Sequence, residues 1–141
     1  MLNRRTLLIA ATLLTAAGNA RAQDGAVFAY RGFTVDMTAL EPARREAIGA
    51  YVRQQIDLVE SLEIRPGIKT WFRGVRITIN PALNMAGRFG PAGLELDDSV
   101  SPPENPVLLH ELLHGYQRHL PGGGRNPTLV GAFEAARAGG Q

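Results

Sequence analysis

Apolar positions recur along this chain with two different periods, and the switches between them mark the elements. Ala26-Val27-Phe28-Ala29-Tyr30 and Phe33-Thr34-Val35 are short β-favouring runs split by Arg31-Gly32, which predicts a hairpin. Thr38-Ala39-Leu40-Glu41 has the form of a capping box, and Pro42 falls within the first turn that would follow. Ile48, Val52, Ile56, Val59 and Leu62 then follow at spacings of 4, 4, 3 and 3, one stripe on one helical face. This predicts a helix over about 40–62 that stops before Pro66-Gly67. Ile68 to Phe72 is apolar without a decided period. Val75-Arg76-Ile77-Thr78-Ile79 alternates, is β-branched and ends at Asn80-Pro81, so it predicts a half-buried strand. Asn84 to Gly93 carries Gly87, Gly90, Pro91 and Gly93 and reads as a loop. Leu94-Glu95-Leu96-Asp97 alternates again as a shorter strand, closed by Ser101-Pro102-Pro103. Asn105 is placed to cap a helix with Pro106 at its first position, running to about His119 ahead of Pro121 and three glycines. Asn126-Pro127 repeats that start signal for a last helix over 127–138. Leu129, Val130, Phe133 and Ala136 would face inward there, and Gly139-Gly140 ends it.

The first 22 residues change the picture of what folds. Arg4-Arg5, an apolar run from Leu7 to Ala17 and the small-x-small site Ala20-Arg21-Ala22 make a secretory signal peptide, cleaved after Ala22. Asn3-Arg4-Arg5-Thr6-Leu7-Leu8 also resembles a twin-arginine signal, so export by either route to the periplasm or beyond is expected. The apolar run is too short to span a bilayer, and no stable membrane anchor is expected after cleavage. Residues 23–141 would then form one domain. Three of the 15 basic residues (Arg4, Arg5, Arg21) lie in the signal, leaving 12 basic against 13 acidic side chains. With no basic block, nucleic acid is not an expected partner. The chain has no cysteine, so a metal would be held by His, Asp, Glu or water.

All three histidines fall between His110 and His119, and His110-Glu111-Leu112-Leu113-His114 has the form HExxH. Residues four apart on a helix lie about 40° apart around its axis, so His110 and His114 project from adjacent turns of one face. Two imidazoles so placed suit Zn²⁺, which takes three protein ligands plus water in hydrolytic sites. Glu111 flanks that face, where a carboxylate can act as general base and then general acid. HExxH on a helix thus points to a zinc metallopeptidase acting on a peptide or protein substrate by metal-activated water. His119 lies about 140° round from His114 and reads as a surface residue near the helix end, Tyr116 as a packing residue or an oxyanion donor, and Trp71 as core. Asp97, Asp98 and Glu104 read as loop carboxylates.

At these residues the chain resembles the zincin metallopeptidases. The stretch from Pro106 to Tyr116, with Leu120-Pro121-Gly122-Gly123 and Asn126-Pro127, is similar to secreted bacterial relatives of the anthrax lethal factor catalytic domain. The resemblance implies an α+β, zincin-like fold: a long helix packed on a small twisted sheet, followed by the HExxH helix and one further helix. It also implies an edge strand that pairs with the substrate backbone, a part assigned to Leu94–Asp97. In lethal-factor-like zincins the third ligand is a downstream glutamate in a Glu-Tyr-Phe-Ala-Glu-like segment, which this sequence lacks. Thermolysin-like zincins place it about 20 residues after the second histidine on the next helix, and Glu134 stands 20 residues after His114. The expected set is therefore His110, His114 and Glu134 for Zn²⁺, with Glu111 catalytic. The alternative is a catalytically incomplete metal-binding or interaction protein of the periplasm, a pseudo-peptidase or a relative short at its C-terminus.

Overall fold

A computed structural model describes residues 25–139. The expected signal peptide lies outside the described residues. The chain forms a mixed α+β fold with one five-stranded sheet and four α-helices among the described residues. Strands β1 (Val27–Tyr30) and β2 (Phe33–Asp36) make the antiparallel hairpin that the two β-favouring runs predict. Its two-residue turn holds Arg31 at φ 47° and Gly32 at φ 86°, the left-handed pair that matches the twist of the flanking strands.

The chain then crosses over through α1 (Pro42–Ser61) and α2 (Pro66–Arg73) to β3 (Arg76–Ile79), which pairs parallel with β2. Next come β4 (Gly87–Gly90) and β5 (Gly93–Leu96), then α3 (Val107–His119), a 3-10 turn at Gly123–Arg125, and α4 (Pro127–Ala138). The sheet order is β1-β2-β3-β5-β4, with β5 parallel to β3 and β4 antiparallel to β5. The strand Leu94–Asp97 was expected at the edge. It is interior, because the glycine-rich stretch read as a loop folds outside it as β4.

Alternation sorts the sheet into two faces. Phe33, Val35, Ile77, Ile79, Leu94 and Leu96 are buried in one cluster with Ile48, Val52, Ile56 and Val59 of α1, Phe72 of α2, and Leu108 and Leu112 of α3. The α1 stripe read from the sequence is therefore the core face of that helix. The other sheet face is polar. Arg76 pairs there with Asp36 at 2.5 Å, and Arg88 with Glu95, which also accepts from Asn80 Nδ2 at 2.8 Å.

Two expected caps are not used. Thr38 does not box the start of α1. Its N–H and hydroxyl donate to the Asp36 carboxylate at 2.9 and 2.7 Å, and the helix begins at Pro42 with no side-chain cap. The nearer carboxylate, two residues back, wins over a capping partner three residues on. Asn105 likewise does not cap α3. Pro106 occupies the cap position, and the N–H of Leu108 donates across to Gln55 Oε1 on α1 at 3.4 Å, a partner that only tertiary packing supplies. The α4 cap forms as read, with Asn126 Oδ1 accepting from Thr128 N and Leu129 N.

Asp36 makes a prediction about acid stability. The Arg76 guanidinium, with both Thr38 donors, holds its carboxyl down to about 2. A folded-state value below the unfolded one contributes stability that is present above the unfolded pKa and lost as pH falls through the folded one. Asp36→Asn should therefore be less stable than the parent near neutrality, and the gap should close between about pH 4 and pH 2. Urea unfolding across that range measures it, and a gap that stays constant with pH would contradict it.

Candidate functional site

The site is built on α3. At about 100° per residue, Val107, Glu111, Gly115 and Arg118 share one flank of this helix, and His110 and His114 lie next to that flank. The flank faces β4. A Cβ built on Gly87 would lie 2.8 Å from Glu111 Cγ and 2.9 Å from Val107 Cγ1. One built on Gly115 would lie 2.3 Å from the Phe89 ring. The helix and the edge strand thus approach at two glycines, one on each element, which only hydrogen at those positions allows. Phe89 fills the space over Gly115, stacks on Trp71 with ring centroids 6.1 Å apart, and its carbonyl oxygen accepts from Arg118 Nη1.

The outer edge of β4, like that of β1 at the opposite end of the sheet, is paired with no strand among the described residues. Asp97 N donates to Ala86 O at 3.1 Å, one step beyond the β4–β5 ladder. Alternation of the antiparallel ladder then turns the backbone groups of Gly87 and Phe89 outward, away from β5. Gly87 lies beside Glu111. Together with Ala86, Asn105, Val107 and His110 they line a pocket of about 220 Å³. Asn105, expected as a cap, is instead part of this wall.

His110 and His114 are exposed, with their Nε2 atoms 3.0 Å apart and their rings nearly perpendicular at 85°. Two nitrogens bound to one tetrahedral zinc at about 2.0–2.1 Å lie roughly 3.3 Å apart. The pair therefore already converges to nearly the bite of one ion, and the same separation serves an N–H···N hydrogen bond between neutral rings. Glu111, 8% exposed, is the one charged residue buried in the core region among the described residues. Its Oε1 lies 4.0 Å from His110 Nε2. A carboxylate so placed is rarely found without a cation nearby.

Glu134 is not brought to this pair. It is exposed and lines a shallow hollow with Gln117, Gly124, Leu129, Val130 and Arg137. Gln117 lies on the histidine side of α3, about one turn beyond His114, so α4 flanks that side without delivering its carboxylate. Among the described residues no group of three His, Cys, Asp or Glu side chains is placed to hold one ion. Spacing in sequence places Glu134 on the right helix but cannot fix its direction. That direction is set by Gly122 and Gly123, both at positive φ (81° and 52°) between the helices.

The remaining sequence readings fall into place as packing. Tyr116 meets Trp71 edge-on at 5.4 Å and Phe72 at 6.2 Å. His119 is exposed, its ring 5.3 Å from Trp71. Trp71 is half-buried against the core. Asp97 accepts from Ser99, and Asp98 pairs with Arg44. Sequence reasoning missed Gly87, Phe89, Gly115 and Arg118. The signal available for them was the pair of isolated glycines, one in a helix and one before an alternating run, each marking close backbone approach.

No family model, no curated protein sequence and no solved structure matches the chain.

Proposed function

We propose that the chain is an exported zinc-dependent peptidase of zincin type that hydrolyses peptide bonds. One observation carries the reading: on a single helix, two imidazole Nε2 atoms converge to 3.0 Å beside a buried carboxylate. The open edge of β4 supports it, since Gly87 offers backbone groups to an extended peptide next to that carboxylate. The edge strand of this reading is β4, in place of Leu94–Asp97.

His110 and His114 would hold the ion. Bound there, zinc would polarise a scissile carbonyl and make water a nucleophile near neutral pH. The Glu111 carboxylate would take a proton from the attacking water and return it to the leaving amine. Gly87 would fix the peptide by its N–H and C=O, and the pocket beside Glu111 would receive a neighbouring side chain.

A second reading has its own observation. No third ligand joins the two histidines among the described residues, which favours a catalytically incomplete protein that binds metal weakly or serves as an interaction module. Zinc titration of the mature chain tests both. The peptidase reading expects one equivalent of zinc, lost in the His110→Ala/His114→Ala double variant, and hydrolysis of a peptide library that a chelator stops. Absence of stoichiometric zinc together with no hydrolysis sinks it. Zinc bound through the two histidines without hydrolysis selects the second reading.

A further inference from the structure

We infer that Arg118 forms a substrate subsite for an acidic side chain two residues away from the scissile bond; this rests on the peptidase reading. Arg118 lies one turn past His114 and seven residues past Glu111, on the flank of α3 that faces β4. Its Nη1 is fixed by the carbonyl oxygen of Phe89. The residue is exposed, and among the described residues no carboxylate lies within ion-pair distance of it. The arginines on the sheet and its hairpin differ. Arg31, Arg76 and Arg88 each have a carboxylate of the chain.

The placement along the groove follows from two rises. Four helical residues advance about 6 Å, and an extended peptide advances about 3.3 Å per residue. Arg118 therefore stands about two peptide residues from the histidine pair. The same bond that fixes the guanidinium occupies the Phe89 carbonyl. Main-chain pairing to the edge is thus offered at Gly87 and curtailed at Phe89, where a side-chain contact takes over. A peptide added antiparallel, the more stable pairing, runs from Phe89 towards Gly87. This puts the acidic residue on the N-terminal side of the cut. A guanidinium held in place by one bond presents its other donors as a planar fork suited to a carboxylate.

The test uses the full mature chain with zinc and the library peptide it cleaves best, carrying Glu, Gln or Lys in turn at each position ahead of the cut. In the Glu111→Gln background, which binds without cutting, Glu two residues before the cut should tighten binding at least about 10-fold over Gln, as a hydrogen bond to a charged group does. Arg118→Gln should erase that difference, so that the ratio of Glu-peptide to Gln-peptide affinity falls to about 1 whatever change is common to both. Arg118→Glu should reverse the preference towards Lys, in binding and in kcat/KM of the otherwise unaltered chain. A purely structural role for Arg118 would weaken all peptides alike, and that result overturns the subsite while the peptidase reading stands. No hydrolysis dependent on Glu111 overturns the peptidase reading and the subsite with it.

Discussion

Glu111→Gln should fold like the parent, take up the same zinc, and lose about 10²–10⁴-fold in kcat on any peptide the parent cleaves. The substitution keeps the side chain's volume. That matters here because Glu111 Cγ sits where Gly87 has no Cβ, and a larger side chain would push β4 off the helix. The amide meets no donor that depended on the carboxylate, since no hydrogen bond from the described residues ends on it. What changes is proton transfer: an amide neither takes a proton from water nor returns one to the leaving nitrogen. At about 1.36 kcal/mol per decade, the loss corresponds to roughly 3–5 kcal/mol of barrier. Zinc content should hold because Glu111 Oε1 lies 4.0 Å from His110 Nε2, beside the pair and outside it. Single-turnover hydrolysis and metal analysis of both proteins measure the two halves. Retained hydrolysis in the variant would remove Glu111 from the chemistry.

The fold was legible where local pattern and tertiary outcome agree. The α1 stripe, the Arg31-Gly32 hairpin, the alternating Val75–Ile79 and the Asn126 cap each depend on residues a few positions apart. It was not legible where breakers are recruited. Pro66-Gly67 reads as a stop for α1, yet Pro66 opens α2, because proline at a first helical position lacks only an N–H that has no helical partner there. Gly87, Gly90 and Gly93 read as loop, yet they lie in the β4–β5 hairpin, which needs two of them. Gly87 admits Glu111, and Gly93 takes φ 110° at the hairpin. The site divides the same way. His110, Glu111 and His114 are fixed by helical period alone, and the structure brings them together as read. Glu134 depends on how a glycine-rich turn aims a second helix, and a distance along the chain carries no such information.

Gly115→Ala should destabilise the protein by about 1–2 kcal/mol, against the sign that helix propensity gives. In an ordinary helix interior this change stabilises by about 1 kcal/mol. Here the added methyl would stand 2.3, 2.5 and 2.7 Å from three atoms of the Phe89 ring. The ring cannot step back cheaply, because Trp71 stacks behind it and Arg118 holds its own residue's carbonyl. Overpacking of this kind costs about 1–3 kcal/mol, and three contacts this short put it at the upper end, so crowding outweighs propensity. The thermal midpoint should fall by about 5 °C or more. Phe89→Ala supplies the control. It is destabilising in itself, by up to about 3 kcal/mol for a ring that is only partly buried, but with the ring gone Gly115→Ala should then stabilise by about 1 kcal/mol. A double-mutant cycle reads that change of sign as the coupling between the two residues. If Gly115→Ala raises the midpoint in the parent, β4 does not press on α3 at this point, and the seating of the edge strand beside Glu111 loses its main support.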